Sequence, residues 1–300
     1  MHVRHGIPLL LCLCMGQAFA ATPIQLQHAT SSAPHISISN IAGTVNVVGW
    51  DRDLVEVTGM LGAGSEPLHI TGSNTDLAIK VAAQGSSGWF NWGGDRRMAP
   101  TQLEVRVPRA AALTINAVSA ALVIDGTDGG NLDIHTISGR ARLNVRTPRL
   151  KANSVSGGIE LAGHADQAEL QTVSGDILAP ALGQSATLQT VSGQIQASGG
   201  PWRQLTLSTV SGDAQVRGGM AVNGKLAIDS MSGDVQLLLP ATVTGTLHAS
   251  TFSGNLRSDF GSPQDAGHGP GSKLDVRLGD GHATLSIETF SGDLRVRKVE

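Results

Sequence analysis

The sequence predicts an all-β protein, a parallel β-solenoid (β-helix) of about ten short right-handed coils with an antiparallel β insertion near its N-terminus. Three observations carry this reading. A Ser-Gly pair recurs at Ser138, Ser156, Ser174, Ser192, Ser211, Ser232, Ser253 and Ser291, at intervals of 18, 18, 18, 19, 21, 21 and 38 residues, the last being two periods of 19. Apolar and polar residues alternate on both sides of each pair, which is the period of a strand with one buried face. The composition, with 38 Gly, no Tyr and only 4 Trp and 5 Phe in 300 residues, suits a core of thin small-residue layers.

The elements follow in order. In residues 1–20, Arg4, His2 and His5 precede the apolar run Ile7 to Met15, and Ala18-Phe19-Ala20 offers small residues at the first and third places, as signal peptidase requires. This reads as a cleaved signal peptide, because the apolar run falls short of the ~20 residues that span a bilayer. The expected product is periplasmic or secreted, with no transmembrane segment after cleavage. Both cysteines, Cys12 and Cys14, lie in this segment, so the exported chain would hold neither disulfides nor thiolate metal sites. Residues 21–34 read as a linker. Residues 35–110 form an N-terminal β segment: a first coil starting at Ile36-Ser-Ile38, then strand-like stretches at Leu54 to Met60, Leu77 to Ala83 and Leu103 to Val107, which serve as cap or side sheet. Residues 111–300 hold the solenoid repeats, interrupted by a Gly/Pro-rich loop from Asp259 to Ser272.

Each repeat follows the frame Leu-x-Ile-x-Thr-Val-Ser-Gly-x-Ile-x-Leu, as in Leu132-Asp-Ile134-His-Thr136-Ile137-Ser138-Gly139 and Leu205-Thr-Leu207-Ser-Thr209-Val210-Ser211-Gly212. A unit this short cannot bury its own apolar face, so copies must stack, each strand pairing in parallel with its equivalent one coil away. At about 4.8 Å per coil, ten coils make a rod about 45 Å long. Right-handed winding is favoured by the preference of parallel crossovers, while an 18-residue period is also compatible with a left-handed triangular coil. Inward positions after the corner run from Leu122 and Ile124 to Val235 and Leu237. The residue before Ser is always apolar although strict alternation turns it outward, so a bulge that shifts the phase is expected at the corner.

The stretch Asn40-Ile-Ala-Gly43-Thr-Val45-Asn-Val47-Val-Gly49-Trp50-Asp51 and the corner Thr172-Val173-Ser174-Gly175-Asp176-Ile177 resemble a bacterial family of secreted β-strand-repeat proteins of unknown function, usually labelled "putative adhesin". The resemblance covers nearly all of residues 35–300. It implies a solenoid exported to the bacterial envelope and supplies no catalytic residue.

Little in the chain points to chemistry. With 21 basic and 24 acidic residues and no polybasic run, nucleic acid is not an expected partner. Asp176, Asp213, Asp234 and Asp293 follow Ser-Gly, but only Asp213 and Asp234 fall on consecutive copies, so turn formation is a better reading than calcium binding. No corner serine lies in Gly-x-Ser-x-Gly. The serines Ser138, Ser156, Ser174, Ser192, Ser211, Ser232, Ser253 and Ser291 read instead as a structural ladder whose hydroxyls bond from coil to coil, so that Ser211→Val would strand a partner. The threonines beside them are expected to stack likewise. The scattered histidines contain no zinc spacing. Cofactors and metals are therefore not expected. One segment escapes the repeat: Trp89, Phe90, Trp92, Arg96 and Arg97 gather aromatics and arginines in a glycine-flanked loop, a composition favoured at contact surfaces. They are the candidate contacts to an envelope protein or polysaccharide, the alternative being that the rings plug the solenoid.

The sequence thus predicts a non-enzymatic structural or adhesive module of the cell envelope. The alternatives are a polysaccharide-active β-helix lyase or hydrolase, and a calcium-dependent assembly module.

Overall fold

The computed structural model describes residues 21–83, 98–265 and 271–299, and every regular element among them is a β-strand. The repeats pair in parallel and in register. Leu170 lies between Ala152 and Leu188, and Ile177 between Ile159 and Ile195. Like therefore stacks on like, and the inward residues Leu122, Ile124, Ala141, Leu143, Ile159, Leu161, Ile177 and Ile195 are all buried. Each fully buried Leu or Ile contributes roughly 1.5–3 kcal/mol, and every repeat places at least one beside its smaller inward residues. Trp202 is wholly buried too, with the Gly218 backbone against its ring edge.

The corner depends on glycine because neighbouring rungs approach there. A Cβ on Gly193 would lie 2.1 Å from the Gly175 carbonyl oxygen, and one on Gly175 would lie 2.3 Å from that of Gly157. Neither glycine needs a left-handed backbone, so it is contact across the ladder that excludes a side chain.

Four expectations are corrected. Residues 21–34 are more than a linker, because Thr22–Ala29 is a strand that pairs antiparallel with Leu54–Leu61. Its sequence, Thr-Pro-Ile-Gln-Leu-Gln-His-Ala, alternates weakly and carries a Pro, which hid it. The insertion is only partly antiparallel. Leu54–Leu61 runs antiparallel to Thr101–Pro108, whereas Asp76–Lys80 and Thr101–Pro108 both pair in parallel with His35–Trp50 and extend the stack.

Third, the last repeat does not sit at the end of the stack. Ala283–Ser291 lies between Ala214–Ser232 and Gly245–Ser253, with Ser291 paired to both Ser232 and Ser253. The strand Ser272–Leu278 then closes the far side of Gly245–Ser253 in antiparallel fashion. At the other end His35–Trp50, the first copy of the repeat in sequence, is flanked by later strands on both sides. Both ends are thus capped by chain that folds back over a terminal coil, which covers edges that would otherwise template aggregation.

Fourth, the phase shift falls after the apolar residue. Thr136 and Ala141 are both buried, while Ile137 between them is exposed. Alternation runs unbroken up to Ile137, and the odd step is taken across Ser138-Gly139-Arg140.

Candidate functional site

Because the shift comes late, the apolar residue of every corner faces solvent. In stack order these are Ile41, Val118, Ile137, Val155, Val173, Val191, Val210, Met231, Phe290 and Phe252, with exposures from 38% at Ile41 to 59% at Met231. Since the rungs are in register, these side chains form one apolar ridge along the repeat. Phe290 and Phe252 stack at its end, with ring centroids 4.8 Å apart. A contiguous row of exposed apolar side chains makes the ridge the candidate contact surface.

The ridge is bordered by two polar rows. On the strand side lie Ser39, Asn116, His135, Asn153, Ser208, Asp229, Glu288 and Ser250; on the corner side lie Arg140, Asp176, Gln194, Asp213, Asp234, Asp293 and Asn255. The border is uneven in charge. The rungs of Val118, Ile137 and Val155 contribute the cation Arg140, and those from Val173 onward contribute the carboxylates.

The aspartates bond from rung to rung, unbroken from Asp213 to Asn255. Asp176 Oδ1 accepts from the Gln194 backbone N–H, Asp213 Oδ1 from that of Asp234, Asp234 Oδ1 from that of Asp293, and Asp293 Oδ1 from that of Asn255, all at 2.9–3.0 Å. Sequence reasoning separated Asp234 from Asp293 because they stand 59 positions apart, yet they occupy adjacent rungs. Arg295 bridges both carboxylates, at 3.3 and 2.9 Å. Hydrogen bonds from the Asn255 side chain and backbone hold the Asp293 carboxyl below its ordinary pKa, with Arg295 and Arg257 acting in the same direction. Asp275 is lowered as well, first by Lys273 and then by His248. Both shifts run opposite to what a general acid requires. Among the described residues no cluster of His, Cys, Asp and Glu is arranged to hold a metal ion.

The serine ladder is aligned but is not the buried one. Ser119, Ser138 and Ser156 are in register, as are Ser211, Ser232, Ser291 and Ser253, yet their side chains face solvent or lie half-buried. Only Ser138 shows the expected hydroxyl contact, 3.3 Å to Ser119 Oγ. The buried hydroxyls belong to the preceding column, Thr136, Ser154, Thr172, Thr190, Thr209, Ser230, Thr289 and Thr251. Thr172 donates to the Gly157 carbonyl one rung away at 3.3 Å, and Thr251 to that of Gly292 at 3.3 Å. Alternation explains the exchange: Thr follows the inward phase, and Ser sits at the step where the phase changes.

Trp89, Phe90, Trp92, Arg96 and Arg97 lie outside the described residues. The ridge, in contrast, was missed although its signal was plain. An apolar residue in the outward phase of every copy is what alternation places on the surface.

The model of the Toastrack DUF4097 family matches residues 33–297. Among solved structures, a "putative lipid binding protein" from Parabacteroides distasonis is similar at TM-score 0.54 and 14% identity, covering 93% of this chain and 97% of its own. A "putative adhesin" from Parabacteroides merdae is similar at TM-score 0.50 and 10% identity, over 93% of this chain and 96% of its own. Another "putative adhesin", from Bacteroides fragilis, aligns at TM-score 0.43 and 10% identity, over 92% and 97%. At these identities the likeness is one of fold. No curated protein matches the chain in sequence.

Proposed function

The chain belongs to the Toastrack DUF4097 family, and we propose that it is a non-enzymatic, exported β-solenoid that serves as a structural or adhesive interaction module of the bacterial envelope. The observation that carries this reading is the apolar ridge, a surface as long as the repeat itself and bordered by polar rows. In-register parallel pairing, rung after rung, supports a winding of about ten coils, which we take to be right-handed. Export rests on the charge and small-residue pattern of residues 1–20. Names given to proteins of the same fold, adhesin and lipid-binding protein, accord with a contact role in the envelope.

The test is co-sedimentation of the purified chain with separated envelope fractions, comparing wild type with Val173→Asp/Val191→Asp and with Trp89→Ala/Trp92→Ala, each checked for folding. Selective binding by wild type is expected. Release of new reducing ends or unsaturated products from polysaccharides, abolished by changing a defined acidic pair, would replace this reading with an enzymatic one.

A further inference from the structure

The ridge has a direction built into it, and we infer that its occupant is a second copy of this chain, packed ridge to ridge in antiparallel fashion about a two-fold axis. This rests on the reading of the ridge as a contact surface and names the partner of that surface.

Spacing gives the first argument. Ridge side chains rise in steps of about 4.8 Å, and a second copy offers apolar knobs at the same step, so the two rows can match rung to rung along their whole length. Size gives the second. Nine steps of about 4.8 Å and a width of about 14 Å, reaching one outward row to each side, make a footprint of roughly 600 Å² per partner, the lower end of a standard stable interface.

Charge supplies the third argument and sets the orientation. In antiparallel two-fold packing, each border of the ridge faces the same border of the other copy. The rung of Ile137 then lies against the rung of Met231, so Arg140 meets Asp234 of the second copy, a carboxylate that Arg295 of its own chain also approaches at 3.3 Å, and His135, 3.0 Å from Asp133 of its own chain, faces Asp229 of the second copy. Val173 meets Val191 at the axis, and the large Phe290 and Phe252 meet the smaller Val118 and Ile41. Parallel packing would instead set Asp229 against Asp234 and Glu288 against Asp293, which is repulsive. At the two ends the antiparallel arrangement brings Lys80 towards Lys273, whose charge is already paired with Asp275 at 2.9 Å.

Sedimentation equilibrium and cysteine cross-linking test this, using the full chain with Cys12 and Cys14 changed to Ser. Wild type is expected at twice the chain mass, and Val173→Asp at the monomer mass with an unchanged circular dichroism spectrum. Ile137→Cys/Met231→Cys should oxidise to a covalent dimer, while neither single variant does. Within one chain these positions are five rungs, about 24 Å, apart, too far for a disulfide. Cross-linking of the single variants would show parallel packing and overturn the inference. A wild-type monomer would overturn it as well: if that monomer still binds envelope fractions through the ridge, the interaction module stands with a different partner, and if it binds nothing, both readings fall.

Discussion

Phe252 and Phe290 stack face to face, 8° from parallel with ring centroids 4.8 Å apart, although 38 positions separate them in sequence. The spacing is that of adjacent strands, and it exists because the last repeat inserts beside Gly245–Ser253 instead of following it at the end of the stack. The same insertion joins Asp234 to Asp293 and keeps the ridge unbroken from Met231 to Phe252.

The two hydroxyl columns should respond differently to substitution. Thr172→Val removes a buried donor to the Gly157 carbonyl and is expected to cost about 1 kcal/mol. Ser174→Val alters an exposed site and should stay within about 0.5 kcal/mol of wild type. Urea unfolding of both variants checks the order, and a larger loss for Ser174→Val would restore the serine ladder.

Gly193→Ala should be far more damaging than Gly219→Ala. The new methyl at position 193 meets a carbonyl oxygen at 2.1 Å, whereas at position 219 the nearest atom, Pro240 Cγ, is 3.4 Å away. Overpacking against backbone predicts a loss of about 3 kcal/mol for the first and little for the second. Equal melting temperatures would mean that the rungs do not approach at the corner.

Acid should weaken the carboxyl-terminal rungs. The Asp293 pKa is lowered in the folded chain from 3.8, so its contribution is fully present above the unfolded value and is lost as pH falls through the folded one. Asp293→Asn should therefore melt below wild type at neutral pH, and the gap should close below the unfolded pKa. A gap that stays constant to the lowest pH would assign the effect to packing alone.

Much of this architecture was legible in the sequence. The period, the inward columns and the parallel register follow from Leu-x-Ile alternation around Ser-Gly, because like residues stack on like. The strand order was not legible: the repeats of Ser232, Ser253 and Ser291 carry nearly the same frame, so any of them can pair with another, and the choice is made by how the intervening strand Ser272–Leu278 folds back. The ridge was legible in principle. Val173 and its equivalents stand in the outward phase, but an apolar residue in every copy invites burial, and burial was placed there by supposing a bulge. Thr22–Ala29 was lost because its pairing is with Leu54–Leu61 and lies outside the repeat.

The most direct test of an unbroken ridge is disulfide trapping across its rungs. Met231→Cys/Phe290→Cys places the two cysteines on adjacent strands about 4.8 Å apart, within reach of a bond, and Met231→Cys/Phe252→Cys places them two rungs, about 9.6 Å, apart. The account predicts rapid intrachain oxidation of the first pair and none of the second. Oxidation of the second pair but not the first would show that the repeats stack in sequence order, and would contradict it.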